Sequence, residues 1–541
     1  MGSPWDRTWD LAPRNHNRNG TLAKKSHKSD GVPPASPKSK ATPRSKTARQ
    51  RRKPHRILYL PILALVIATA PAQTPTPAPN PAATTPGAPV PITAAQDHQR
   101  MMDLLHITEL RPGVKQNGGL PNPVNWDESK ANPWPNLPDP LLLENGKRVT
   151  TAKAWWNQRR PELVELFDRE ILGRAPAHTP TGHWEVVSTT PSSEAGIATV
   201  TKHLIGHVDN SADPAITVNI EAQLILPAAA TGPVPVVVEI TFDPAPSDPP
   251  APPRPPAPAS NAPPAALKPP DPTPSARRQT LAKGWGYALY YPRTVQADNG
   301  AGLTRGIIGL CNHGQPRSLE DWGALRAWAW GAARLLDYFE TDKAVDARHV
   351  AIAGHSRFGK AALVTMAYDQ RFAAAYVNSS GAGGADLARR RFGEQLENIA
   401  GSGEFHWMGG NYLKYAELAP KEITPNDMPV DMHELIALCA PRPVFIGGGT
   451  YKGGDGWADV DGTFLAEVAA DPVYKLLGKK GVSDANGLVT TLPPVATPLI
   501  AGDLAFLQHP GGHNYLPNFA TFLDWSTRYL APAATGRVPH S

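Results

Sequence analysis

The chain has 541 residues, 19% of them charged and 41% hydrophobic, with a formal net charge of +6. It is too apolar for an intrinsically disordered chain, and its two cysteines are too few for a disulfide framework. The charge is uneven: residues 1 to 56 hold fifteen Lys or Arg against three Asp, so the remaining residues are net acidic and a nucleic-acid-binding reading would rest on that arm alone.

The segment after the arm argues against nucleic acid. Ile57 to Ala70 is fourteen residues without a charge, short for a membrane span and the right length for the apolar region of a signal peptide. Ala70-Pro71-Ala72 adds a small-x-small cleavage pattern. Residues 1 to 72 therefore read as a basic arm and signal peptide, with no stable membrane association after cleavage and a secreted or periplasmic product. An uncleaved anchor and a cytosolic protein are the alternatives. No methionine falls between Met1 and Met101, which leaves open a start nearer Arg49 to Arg56. Residues 73 to 97, rich in Pro, Ala and Thr, read as a linker, and residues 98 to 541 as one catalytic domain.

Within that domain, Lys153 to Phe167 has the apolar spacing of a helix. His183 to Thr190, Ala198 to His207 and Ile216 to Leu226 read as antiparallel strands, and Val234 to Ile240 as a buried central strand. Fifteen of the 61 prolines lie between Pro244 and Pro274, so about residues 243 to 275 form a surface excursion. A helix from Ala276 to Lys283 and a strand from Gly286 to Tyr291 come next. Further strands near Val350 to Ala353, Ala374 to Asn378 and Pro443 to Gly447, separated by helical stretches, predict an α/β-hydrolase fold: a three-layer sandwich with a mostly parallel central sheet. No internal repeat is present. No metal-binding spacing occurs, so neither a metal nor a cofactor is expected. Cys439 reads as a small core residue, and its pairing with Cys311 is left open.

The chemistry centres on Val350 to Ala367. An apolar run stops at Gly354, presents Ser356 and continues as a helix, which lifts the hydroxyl off the sheet and aims helix N–H groups at a developing oxyanion. The second glycine falls one place later than in G-x-S-x-G, so this motif alone is weak. An activated serine also needs a base and an acid, in the order Ser, acid, His on this fold. Gly511-Gly512-His513 lies on a glycine-rich turn before the last helix (Pro517 to Leu530), with His509 as its competitor. The loop after the strand Val444 to Gly448 offers Asp455 and Asp459. His355 and His313 read as packing or hydrogen-bonding residues.

Gly354-His355-Ser356-Arg357-Phe358-Gly359-Lys360, Asp369-Gln370-Arg371-Phe372 and Asn378-Ser379-Ser380-Gly381 resemble the bacterial glucuronoyl esterases of carbohydrate esterase family 15. Asp321 to Gly331, Arg391-Phe392-Gly393-Glu394, Ala440-Pro441-Arg442-Pro443, Trp457-Ala458-Asp459, Pro472 to Gly478 and Gly511-Gly512-His513 continue the likeness over residues 98 to 535. The resemblance implies a serine esterase cleaving the ester between 4-O-methyl-glucuronic acid of glucuronoxylan and lignin alcohols; a monomer is expected, although the sequence does not reveal the oligomeric state. It places the nucleophile on Ser356, the base on His513 and oxyanion stabilisation on Arg357. Lys360 becomes a donor to sugar hydroxyls, and Glu394 and Trp457 become contacts to the uronate ring. Many members carry the acid as a glutamate twenty-three residues after the serine, where this chain has Ser379. Asp455 takes that role by elimination and by its place in the family, with Asp459 as the alternative. An acetyl or feruloyl polysaccharide esterase, and a non-catalytic uronate-glycan-binding protein, remain the competing functions.

Overall fold

In the computed structural model, residues 88–115, 122–243 and 273–531 are described, and they belong to one compact unit. The basic arm, the apolar run Ile57 to Ala70, most of the linker and most of the Pro-rich excursion lie outside the described residues. The linker ends earlier than residue 97. Helix α1 (Ala94–Leu105) begins inside the stretch expected to be linker, with a capping box between Thr93 and Gln96. Such a cap contributes about 1 kcal/mol. Val90 already donates its backbone N–H to Gly314 and accepts from Thr304.

A nine-stranded sheet organises the rest. In chain order its strands are β1 (Gly182–Glu194), β2 (Ile197–Val208), β3 (Asn219–Pro227), β4 (Val234–Ile240), β5 (Gly286–Tyr291), β6 (Val345–His355), β7 (Ala374–Asn378), β8 (Val444–Gly448) and β9 (Leu504–Gln508). Across the sheet the order is β9-β8-β7-β6-β4-β5-β3-β2-β1. Neighbours from β9 to β5 pair in parallel, while β3, β2 and β1 run antiparallel to theirs. The alternating pattern of β1 to β3 and the β-branched run of β4 account for this division, because a parallel strand is covered on both faces and an antiparallel one can face water.

The parallel strands sort their side chains into two cores. Val236, Val238, Ile352, Val377 and Ile446 face one layer, and Val237, Ala351, Ala353, Tyr376 and Phe445 the other. Helices α2 (Arg160–Phe167), α4 (Ala324–Phe339), α5 (Arg357–Tyr368), α6 (Met432–Cys439) and α7 (Val460–Leu476) contribute to the first core. Helices α3 (Ala276–Ala282) and α8 (Phe519–Leu530) contribute to the second. This is the expected three-layer sandwich. Helix α4 is buried along its whole length, so its charges are paired inside the protein: Arg334 and Arg371 both meet Asp337.

Strand β9 has no counterpart among the elements expected from sequence. Its five residues are all buried, and the apolar run Leu504 to Leu507 between Gly502-Asp503 and Pro510-Gly511-Gly512 is the signal that could have found it. Both cysteines are free thiols, each raised to about 12 first by burial.

Candidate active site

Strand β6 ends at His355 and α5 starts at Arg357, so Ser356 alone makes the turn, with φ 57° and ψ −129°. A non-glycine residue there stores roughly 1–3 kcal/mol of strain, which the packed strand and helix on either side hold in place. The two flanking glycines have separate reasons. A Cβ on Gly354 would lie 2.0 Å from the Phe358 carbonyl oxygen, inside the turn itself. A Cβ on Gly359 would lie 2.9 Å from the Asn378 carbonyl oxygen, where the helix crosses the end of β7. The late glycine of G-x-S-x-x-G therefore belongs to this helix–strand crossing. The Ser356 N–H donates to the Asn378 carbonyl, and the first N–H groups of α5, beginning with Arg357, have no carbonyl within the helix to reach.

The chain brings His513 and Asp455 together, at 2.7 Å between Nδ1 and a carboxylate oxygen. The loop holding Asp455 is joined to the loop holding His513 by the Thr450 N–H, which donates to the Gly511 carbonyl. The other Asp455 oxygen accepts the Ser379 hydroxyl and the Gly449 N–H, both at 2.7 Å. Burial alone would raise this carboxyl, but the bonds from His513, Ser379 and Gly449 outweigh it and hold it below the ordinary range. With Nδ1–H donated to a carboxylate, Nε2 is left as the proton acceptor. The His513 side chain remains 42% exposed.

Asp459 is occupied elsewhere. It is buried, caps α7 through the Gly462 N–H and pairs with Arg390 at 2.6 Å. His509 is buried, and its Nδ1 accepts the Gly511 N–H. His355 stacks on His513 with ring centroids 4.2 Å apart, and its Nδ1 accepts from Asn378. Burial first, and the charge of His513 next, lower His355 to about 4. It therefore stays neutral beside a ring that must take up a proton.

Lys360 needs correcting. It does lie at this end of the sheet, but its ammonium is buried and donates to the carbonyls of Ser380 and Ala382 and to Glu394, at 2.6 to 2.9 Å. An ammonium has three N–H donors, and all three are used. A free donor to a sugar hydroxyl is thus not present. Glu394 receives Lys360 on one oxygen and the Trp457 indole N–H, at 3.0 Å, on the other. Each oxygen keeps a lone pair, so Glu394 is a fixed acceptor flanked by an aromatic face.

Arg357 extends from the elbow with its side chain 37% exposed and one guanidinium nitrogen 2.7 Å from Asp298. Sequence reasoning missed both Asp298 and Trp407, whose ring lies 5.2 Å from the Arg357 guanidinium and 5.5 Å from the Lys360 ammonium. Neither sits in a motif, and only their position in space gives them away. Among the described residues no group of His, Cys, Asp and Glu is arranged to hold a metal.

The chain is similar to known proteins. The family model for fungal glucuronyl esterase matches residues 317–478. The carbohydrate esterase MZ0003, from an unknown prokaryotic organism, is 33% identical over 422 residues, covering 75% of this chain and 90% of that protein. The 4-O-methyl-glucuronoyl methylesterase 1 of Wolfiporia cocos is 25% identical over 378 residues, covering 65% of this chain and 74% of its own. Among solved structures, the family 15 glucuronoyl esterase of Teredinibacter turnerae T7901 is 42% identical with a TM-score of 0.71, covering 81% of this chain and 99% of that one. The glucuronoyl esterase of Solibacter usitatus is 33% identical with a TM-score of 0.61, covering 74% of this chain and 99% of its own. With 33% identity over 90% of one relative and 42% identity over 99% of a solved glucuronoyl esterase, the chain belongs to carbohydrate esterase family 15, the glucuronoyl esterases, and thereby to the carboxylic ester hydrolases.

Proposed function

We propose that this esterase cleaves esters of 4-O-methyl-glucuronic acid on glucuronoxylan, including those to lignin alcohols, through an acyl-enzyme on Ser356. The observation that carries the reading is the 2.7 Å bond between His513 and a buried, ionised Asp455 at the end of the sheet that presents Ser356. In the first half-reaction His513 Nε2 takes the Ser356 proton as Oγ attacks the uronate carbonyl. The carbonyl oxygen becomes an oxyanion stabilised by the Arg357 N–H and guanidinium. Collapse of the tetrahedral adduct breaks the ester C–O bond, and the proton on His513 goes to the departing alcohol. Water then repeats the cycle on the acyl-enzyme and releases the uronate. Asp455 fixes the His513 tautomer and balances the imidazolium charge.

Recognition of the acid half is assigned to Glu394 and Trp457. Glu394 accepts sugar hydroxyls, and Trp457 both holds Glu394 and offers an apolar face to the ring. Lys360 acts through Glu394, holding that carboxylate in place with its ammonium.

Purified full-length protein should turn over benzyl or methyl glucuronate with kcat/KM at least about 10²-fold above an aryl acetate, since the acetate makes none of the ring contacts. A preference for acetate or ferulate would replace this reading with that of an acetyl or feruloyl esterase. Uronate binding without turnover would make the protein a glycan binder.

Arg357→Ala separates the side chain from the backbone, because the N–H remains. It should lower kcat by about 10²-fold with a smaller change in KM, as for an interaction made in the transition state. A pure KM effect would reassign Arg357 to holding the ground state.

Export is proposed from the sequence alone, on the charge-free run Ile57 to Ala70 after a basic arm. N-terminal sequencing of secreted protein should find a start near Gln73, and a start upstream of Ile57 would favour an anchor or a cytosolic protein. Among the described residues no helix is long and apolar enough to cross a membrane.

A further inference from the structure

We infer that Asp298 is a positioning residue for catalysis, its buried carboxylate setting the aim of the Arg357 guanidinium over the nucleophile. This rests on the assignment of Arg357 to the oxyanion.

Asp298 lies well before Ser356 in the chain, on the segment between β5 and α4, and its side chain is only 6% exposed. Its two oxygens have different tasks. One accepts the His406 Nε2–H at 3.0 Å and the Trp407 indole N–H at 2.7 Å. The other accepts Arg357 at 2.7 Å, which is the one side-chain hydrogen bond Arg357 makes among the described residues. Burial alone would raise the Asp298 carboxyl, but the bond from His406, the neighbouring charge of Arg357 and the bond from Trp407 hold it well below the ordinary range. It is an anion throughout the working pH of an esterase. His406 is kept neutral mainly by its burial, and its Nδ1 is enclosed with no partner among the described residues, so that nitrogen could not carry a proton without an orphaned donor.

The result is a rigid anchor beneath a flexible side chain. An arginine at the rim of a pocket has many rotamers and a strong tendency to extend into water. Here the guanidinium is tied at one nitrogen to Asp298 and packed against the face of Trp407, which Asp298 also fixes. Four of its five N–H donors remain for the developing oxyanion. The same indole ring lies by Lys360, so the catalytic cation and the support of the sugar-binding carboxylate share one aromatic neighbour. Two effects of the Asp298 charge oppose each other. It weakens the field of Arg357 at the oxyanion, and it fixes the guanidinium in place. Orientation dominates, because Arg357 is partly exposed and water screens the charge term while a misplaced donor contributes nothing.

A carboxylate that merely joined loops would lower stability and leave the contribution of Arg357 intact. The test is therefore a double-mutant cycle read in kcat and KM on benzyl glucuronate. Asp298→Asn should lower kcat by about 20- to 50-fold while KM stays within about threefold. In an Arg357→Ala background the same substitution should change kcat by less than about threefold. Trp407→Phe removes the indole N–H but keeps a ring; it should cost about three- to tenfold in kcat, again only when Arg357 is present, and it serves if Asp298→Asn does not fold. A full-sized Asp298→Asn loss in the Arg357→Ala background, or kcat within twofold of wild type with Arg357 present, would overturn the inference. Should Trp407→Phe stand in, an equal loss with and without Arg357 would overturn it. Arg357→Ala alone tests the oxyanion assignment, so failure of that reading shows as an unchanged kcat in the single variant.

Discussion

Ser356→Ala should lower turnover of a glucuronate ester by about 10³-fold or more while leaving the fold and substrate binding in place. Alanine removes only the hydroxyl. It keeps a Cβ at the position with φ 57°, so the turn carries the same backbone strain and the same bond from the Ser356 N–H to Asn378. The Arg357 anchor, the His513–Asp455 bond and the Trp457–Glu394 bond do not involve the lost oxygen. Residual turnover would come from water activated near the oxyanion donors, as when a nucleophile is deleted from other triads. Steady-state kinetics with thermal unfolding of both proteins checks this, and turnover within tenfold of wild type would move the nucleophile elsewhere.

The second large effect is expected at Asp455. Asp455→Asn keeps the shape of the side chain but cannot satisfy its surroundings. One carboxylate oxygen accepts two donors, the Ser379 hydroxyl and the Gly449 N–H, and the other accepts His513. An amide will place its oxygen toward the two donors and its NH2 toward His513 Nδ1. That forces the proton of neutral His513 onto Nε2, the nitrogen that must be bare to act as base, and it also removes the charge that balances the imidazolium. The expected loss in kcat is about 10³- to 10⁴-fold. Asp459→Asn should leave kcat within about tenfold, because Asp459 caps α7 and holds Arg390; its cost falls on stability, at up to about 3 kcal/mol for a weakened buried pair. The reverse ranking would place the acid at Asp459.

Ser379→Glu gives the sharper half of this experiment. Ser379 stands at the position where the family resemblance places a glutamate as the acid, and its hydroxyl already touches Asp455. In the Asp455→Asn background a glutamate there should restore part of the lost rate by offering His513 a carboxylate from the adjacent strand end. In the wild-type background it should give no gain, because two carboxylates would crowd one imidazole and repel each other. No rescue in the first background would mean that the His513 loop is set for Asp455 alone.

The local pattern of the chain determined the elbow, the alternation of strands and helices, and the histidine on its glycine turn. Each is a property of consecutive residues: Val350 to Ala353 is long enough to be a buried strand, Gly354 permits the turn, and Arg357 to Ala367 has no helix breaker after its first turn. The family signature was legible for the same reason. What the sequence could not decide was which side chains meet. Asp455 and Asp459 share one loop, and nothing in their spacing tells a catalytic partner from a helix cap. The parallel register of β7 and β8, with Asn378 opposite Gly447, brings Ser379 next to Gly449 and Asp455, 76 residues further along the chain. Lys360 read as a free cation until Ser380, Ala382 and Glu394 were seen to take all three of its donors. Asp298 and Arg357, 59 residues apart, meet because the segment after β5 and the first turn of α5 end on the same edge of the sheet. Backbone periodicity comes from neighbours in sequence, whereas the charge and aim of a catalytic group come from neighbours in space, and those are fixed only when the strands register and the layers close.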